Sequence, residues 1–162
     1  MYDFRYNYIK NKFGQNSKLL FTNTDSLTDH INADDVYEAF LKDRDLFDNS
    51  DYDKSSKFHF SENKKVIRKF KDEAAGLPIT EFVGLKSKTY SYTTENKNNK
   101  EAKGVKKNVR DRDIDHSDYL DVLNNNGQLR HNMKPIRSEL HEIYSYQMNK
   151  ISLSCYDDKR YT

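Results

Sequence analysis

Lys18-Leu19-Leu20-Phe21-Thr22-Asn23-Thr24-Asp25-Ser26-Leu27-Thr28-Asp29-His30-Ile31 is the stretch on which the fold turns. Lys18 to Phe21 reads as a short apolar strand, and Thr22 to Ser26 as a polar turn. Leu27, Asp29 and Ile31 then alternate, so a return strand follows. The result is a hairpin whose tip carries Asn23 and Asp25. Strand alternation places those two residues on the same side. A carboxylate at a strand turn is free of core packing and can ligate Mg²⁺, a hard cation that takes oxygen donors. The competing reading is an Asx-type turn, in which Asn and Asp bond their own backbone.

On the N-terminal side of the hairpin, Tyr2, Tyr6, Ile9 and Phe13 fall on one stripe of a helix that Gly14 stops. On the C-terminal side, Asn32 can cap a helix with Asp34 and Asp35 in its first turn. Val36, Tyr37, Phe40 and Leu41 form that helix's buried stripe, and it ends near Phe47. Asn49 to Asn63 reads as a loop. Lys65 to Phe70, Ile79 to Leu85 and Lys88 to Tyr92 read as strands, and Asn96 to Lys100 as a polar turn. Asp115 to Leu123 reads as a short helix. Gln128 to Arg137 and Glu142 to Leu153 read as a strand pair, with Pro135 marking the first as an edge. The fold class expected is α+β: a mostly antiparallel sheet backed by helices, with a small β-rich extension from about residue 113.

The 162 residues are 35% hydrophobic, which leaves a thin core for one ordinary domain. No apolar run approaches the roughly 18 residues that span a bilayer, and no secretory leader opens the chain. The single Cys155 makes no internal disulfide, so the chain is expected to be intracellular rather than secreted. The formal charge of +2 conceals strong segments. Ten acids stand against two bases from Thr22 to Asp53, and nine bases against three acids from Lys86 to Arg112. The first segment can hold a cation and the second can hold phosphates, although charge runs are also ordinary solvated faces.

Gly84-Leu85-Lys86-Ser87-Lys88-Thr89-Tyr90-Ser91-Tyr92, followed by Lys103-Gly104-Val105-Lys106, carries the second motif. Lys88, Tyr90 and Tyr92 alternate onto one strand face, where lysine can neutralise a phosphate and tyrosine can contact a sugar or base edge. The bland alternative is an amphipathic edge strand with solvated lysines. Asp51, Asp53, Ser55 and Glu62 match the spacing of a calcium loop, but Ser56 stands where glycine is needed. The five histidines show no zinc spacing, and nothing supports nucleophilic catalysis.

Taken in order, the helix, the Thr24-Asp25-Ser26 hairpin, the acidic helix, Lys71-Asp72-Glu73, Thr80 to Tyr90 and Lys103-Gly104-Val105 resemble family B DNA polymerases. The likeness is greatest to the protein-primed type of viruses, linear plasmids and self-synthesising (Polinton-like) DNA transposons. It covers nearly the whole chain, as the C-terminal half of a palm (1–112) and the start of a thumb (113–162). The resemblance implies a DNA-directed DNA polymerase, a nucleotidyltransferase of DNA replication with a two-Mg²⁺ site. The implied partners are a DNA primer-template, a deoxynucleoside triphosphate and a terminal priming protein. It makes Asp25 the catalytic, metal-binding carboxylate and Lys88, Tyr90 and Lys103 the DNA-binding residues.

Asn23 stands at the family's other tip aspartate, and an amide adds donors where a metal wants acceptors. The family's further metal-binding aspartate and its nucleotide-gripping lysine have no candidate in these residues, and both ends look cut from something longer. The chain alone is therefore expected to be inactive as a polymerase. The alternatives are a non-catalytic DNA-binding remnant and a decayed mobile-element fragment.

Overall fold

The computed structural model describes residues 1–23, 25–95 and 97–156. The fold class is α+β, with antiparallel sheets backed by helices. The chain divides into two compact units, Met1–Pro78 and Ile79–Thr162.

The first unit opens with a π-wound stretch, Phe4–Ile9, that runs into α1 (Lys10–Phe13). Gly14 ends the helix with φ +56°, a conformation that costs glycine least. The buried stripe differs from the one expected. Phe4, Arg5 and Ile9 face inward, while Tyr2 and Tyr6 are exposed. The π-winding is the reason, because adding a residue to the turn rotates the stripe away from the 3.6-residue period.

The hairpin is formed by β1 (Ser17–Asn23) and β2 (Ser26–Ile31), antiparallel as expected. α2 (Val36–Lys42) follows. Its cap is Asp35, whose carboxylate accepts from the Glu38 amide at 3.0 Å, and not Asn32. Phe4, Ile9, Phe47 and Phe60 make the core, with Tyr8, Phe13, Phe40 and Phe70 packed around it. Rings therefore dominate: Phe4 stacks on Phe70 at 3.7 Å between centroids, and Phe40 on Phe47 at 4.7 Å.

The strand expected at Lys65 to Phe70 contracts to β4 (Phe70–Lys71), which pairs in parallel with β3 (Phe47–Asp48). Lys65 and Arg68 adopt φ of 59° and 71°, which no strand accommodates. The loop between β3 and β4 is held by side chains bonding backbone. Asn63 Nδ2 donates to the carbonyls of Arg44 and Phe47, both at 2.9 Å. Asp48 accepts from the amides of Ser50 and Lys65, both at 3.0 Å.

In the second unit β5 (Ile79–Lys86), β6 (Thr89–Thr94) and β7 (Lys97–Ala102) form an antiparallel meander. β7 replaces most of the polar turn expected there, and Asn96 lies outside the described residues. α3 (Lys107–Asp113) and α4 (His116–Asn124) follow. The long strand pair at the end is interrupted once. β8 (Gln128–Met133) pairs with β11 (Met148–Ser154), and β9 (Ile136–Glu139) with β10 (Glu142–Ser145). The break falls at Pro135, which has no amide hydrogen to give to a ladder and instead accepts from Tyr146 N at 3.2 Å. Val83, Val109, Ile114, Tyr119, Val122 and Leu153 form the core. Among the described residues no helix is long and apolar enough to cross a membrane.

Candidate functional site

Two tight turns carry the candidate residues. In the first unit Asn23 pairs with Ser26, and Asp25 stands in the turn that joins the two strands. Thr24 lies outside the described residues. Asp25 is exposed and Asn23 half-buried. Asp25 therefore sits in the turn itself, where strand alternation with Asn23 does not apply.

The base of this hairpin is clamped from the N-terminal helix. Arg5 Nε lies 3.0 Å from Asp29 Oδ1 on β2, and both side chains are buried. Arg5 Nη1 also donates to Ser17 Oγ on β1 at 3.3 Å. One guanidinium thus ties both strands together below the tip. Burial pushes the Asp29 carboxyl upward, against the pull of Arg5. A bulge at Leu20, between the Leu19–Asp29 and Phe21–Thr28 pairs, adds local twist between this clamp and the tip.

In the second unit Lys86 pairs with Thr89, so Ser87 and Lys88 form a two-residue turn, and Lys88 takes φ +57°. Lys88 is thus at the turn rather than in line with the tyrosines on the strand. Tyr90 and Tyr92 do share a face, with ring planes 9° apart and centroids 6.4 Å apart. Phe82 extends this row from β5, 6.1 Å from Tyr90. Gly84 pairs with Tyr90, and a side chain there would crowd the Phe82 ring at 3.1 Å. The Lys103 amide donates to the Lys88 carbonyl at 2.9 Å. The two basic motifs, fifteen positions apart in sequence, therefore meet at one corner of the meander.

A magnesium pair needs several anionic oxygens. The tip offers one carboxylate and one amide, and among the described residues no three His, Cys, Asp or Glu side chains come together. The described residues of the tip thus supply too few anionic oxygens for two metal ions.

The remaining motifs are structural. Asp51 pairs with Lys71, Asp53 accepts from the Ser55 amide, and Glu62 pairs with Arg44, so the acids of the calcium-like loop have separate partners. Asp72, in the Lys71-Asp72-Glu73 motif, accepts from Tyr52 Oη at 2.7 Å and from the amides of Ala74 and Gly76. Its role is to shape a turn, and Gly76 at φ +85° leaves room for the Tyr52 ring.

Two groupings escaped sequence reading. His116 Nδ1 lies 2.8 Å from Ser91 Oγ, and its Nε2 lies 3.2 Å from Glu81 Oε2. Ser91 is completely buried and donates to the Asn99 carbonyl, so this trio holds α4 to the sheet rather than presenting a nucleophile. The other is Lys150 on β11, whose Nζ donates to the Gly104 carbonyl at 3.0 Å. Both depend on contacts 25 or more positions apart, which no local pattern signals. Comparison of the chain with protein-family models, curated proteins and solved structures finds no match.

Proposed function

We propose that this chain is the DNA-gripping part of a family B DNA polymerase of the protein-primed type. In this reading Lys88 and Lys103 neutralise phosphates near the primer end, Tyr90 lies against the adjoining sugar or base edge, and Asp25 is the surviving palm carboxylate. The observation that carries it is the Lys103–Lys88 backbone bond. It joins the Lys-x-Tyr and Lys-Gly motifs on one corner, as a shared backbone-binding role requires. The turn at Asp25 supports the same reading, because it leaves the carboxylate exposed beyond the ends of two paired strands.

Asn23 favours the non-catalytic form of this function. With one carboxylate at the tip, the chain binds primer-template DNA and does not extend it. Primer extension with labelled primer-template, all four deoxynucleotides and Mg²⁺ or Mn²⁺ tests this. The result expected is retained duplex binding with no lengthened product. Template-directed extension by the purified chain would refute the non-catalytic form, and absence of duplex binding at low salt would refute the DNA-gripping reading itself.

A further inference from the structure

We infer that Lys150 is a third phosphate-binding residue of the Lys88–Lys103 corner, placed there from a strand sixty-two positions away in sequence. The inference rests on the DNA-gripping reading and extends it to the C-terminal strand pair. Lys150 Nζ reaches the carbonyl of Gly104, the residue after Lys103. The Lys103 amide in turn bonds the Lys88 carbonyl. One chain of contacts thus joins the β5–β6 turn, the Lys103-Gly104 loop and β11.

Gly104 makes this approach feasible. It has φ +81°, and a Cβ there would stand 3.3 Å from Lys150 Nζ. Glycine therefore clears the space that the ammonium enters. An ammonium has three donors, and the Gly104 carbonyl takes one. Lys88, Lys103 and Lys150 are all exposed, and among the described residues none of them pairs with a carboxylate. Glu101, the nearest acid in sequence to Lys103, is engaged with Arg110 at 3.0 Å. Three uncompensated cations at one corner fit successive phosphates of a DNA backbone, where each neutralised phosphate releases counterions.

The purely structural alternative is a tether, in which Lys150 only anchors the Gly104 loop. Lys150→Gln separates the two, because the amide keeps a donor for the Gly104 carbonyl and removes the charge. Lys97→Gln is the control. It makes the same charge change at the opposite end of the meander, where Lys97 pairs with Thr94.

The experiment measures fluorescence anisotropy of a labelled primer-template duplex against KCl concentration, with thermal melts of each variant. Lys150→Gln is expected to reduce the slope of log affinity against log salt by about 0.9 and to melt like the parent. Lys97→Gln is expected to leave the slope in place, and Lys150→Arg, which keeps charge and donor, to bind like the parent even if Lys150→Gln folds poorly. If Lys150→Gln keeps the parental slope while Lys88→Ala with Lys103→Ala loses it, the inference about Lys150 fails and the DNA-gripping reading stands. If the double variant also keeps the parental slope, both fail. Equal loss in Lys150→Gln and Lys97→Gln, or in Lys150→Arg, overturns the assignment of a specific contact.

Discussion

The two compact units solve the same problem with different materials. Met1–Pro78 packs phenylalanine rings and then relies on polar groups: the Arg5–Asp29 pair, the Asn63 amide and the Asp48 and Asp72 carboxylates. Ile79 onward packs mostly aliphatic side chains between a continuous meander and α4. Apolar burial is non-directional and tolerates small shifts. A buried ion pair or an amide bonding a loop carbonyl fails once either partner goes. The first unit should therefore be the more fragile under substitutions of polar residues, and the second under cavity formation.

The largest expected effect tests the polar side of this contrast. Arg5→Ala leaves Asp29 buried without its cation and releases Ser17, at a cost of about 3–5 kcal/mol. Hydrogen exchange of the intact chain should show amides of Ser17–Ile31 opening. Arg5→Met combined with Asp29→Leu should recover most of the loss, since neither charge then remains buried. Protection equal to the parent in Arg5→Ala would dissolve the contrast.

Leu153→Ala probes the second unit. Leu153 is completely buried, and its truncation is expected to cost about 2–5 kcal/mol, read as a lowered denaturation midpoint. A change below about 1 kcal/mol would mean that this core collapses around the gap.

Acid should act on the first unit through its carboxylates. The hydrogen bond from Lys12, and then that from Tyr8, holds the Asp43 carboxyl below its ordinary value. Burial works against Asp48, but the Lys65 amide and Ser50 outweigh it and leave that carboxyl lowered as well. A carboxyl lowered in the folded state adds stability above its unfolded value of about 3.9, and this is lost as pH falls through the folded value. Asp29 has the opposite sign, because its raised carboxyl favours the fold as pH falls. Near-ultraviolet dichroism should therefore show acid loosening of the first unit, and Asp48→Asn should flatten it. An unchanged acid profile in that variant would count against Asp48 as a proton-linked staple.

The smallest effect is at the helix cap. Asp35→Ala removes the acceptor for the Glu38 amide and should cost about 1 kcal/mol. Asp35→Asn should restore most of it.

The same contrast explains what could be read in advance. The hairpin was legible because Leu19-Leu20-Phe21 runs into a polar tip and Leu27 and Ile31 alternate after it. The strands at Ile79 to Leu85 and Lys88 to Tyr92 and the short helix at Asp115 to Leu123 were legible too, and stand as β5, β6 and α4. β7 escaped because Lys97-Asn98-Asn99-Lys100-Glu101 has no apolar alternation, and its strand form comes from pairing with β6. The π-wound turn escaped because its hydrogen bonds, not its sequence, set the period. Of the site, Asp25, Lys88, Tyr90 and Lys103 were legible as motif residues. That Lys88 stands in a two-residue turn rather than on the strand face was not, because register is fixed by strand pairing across the hairpin.

The assignment of the Lys88–Lys103 corner to DNA stands or falls on primer-template binding by Lys88→Ala with Lys103→Ala, measured from low to moderate KCl. The parent is expected to bind regardless of sequence with a steep salt dependence, and the double variant to lower the slope by about 1.8 while folding normally. A salt-independent parent, or a double variant indistinguishable from it, would contradict the assignment of this corner to DNA.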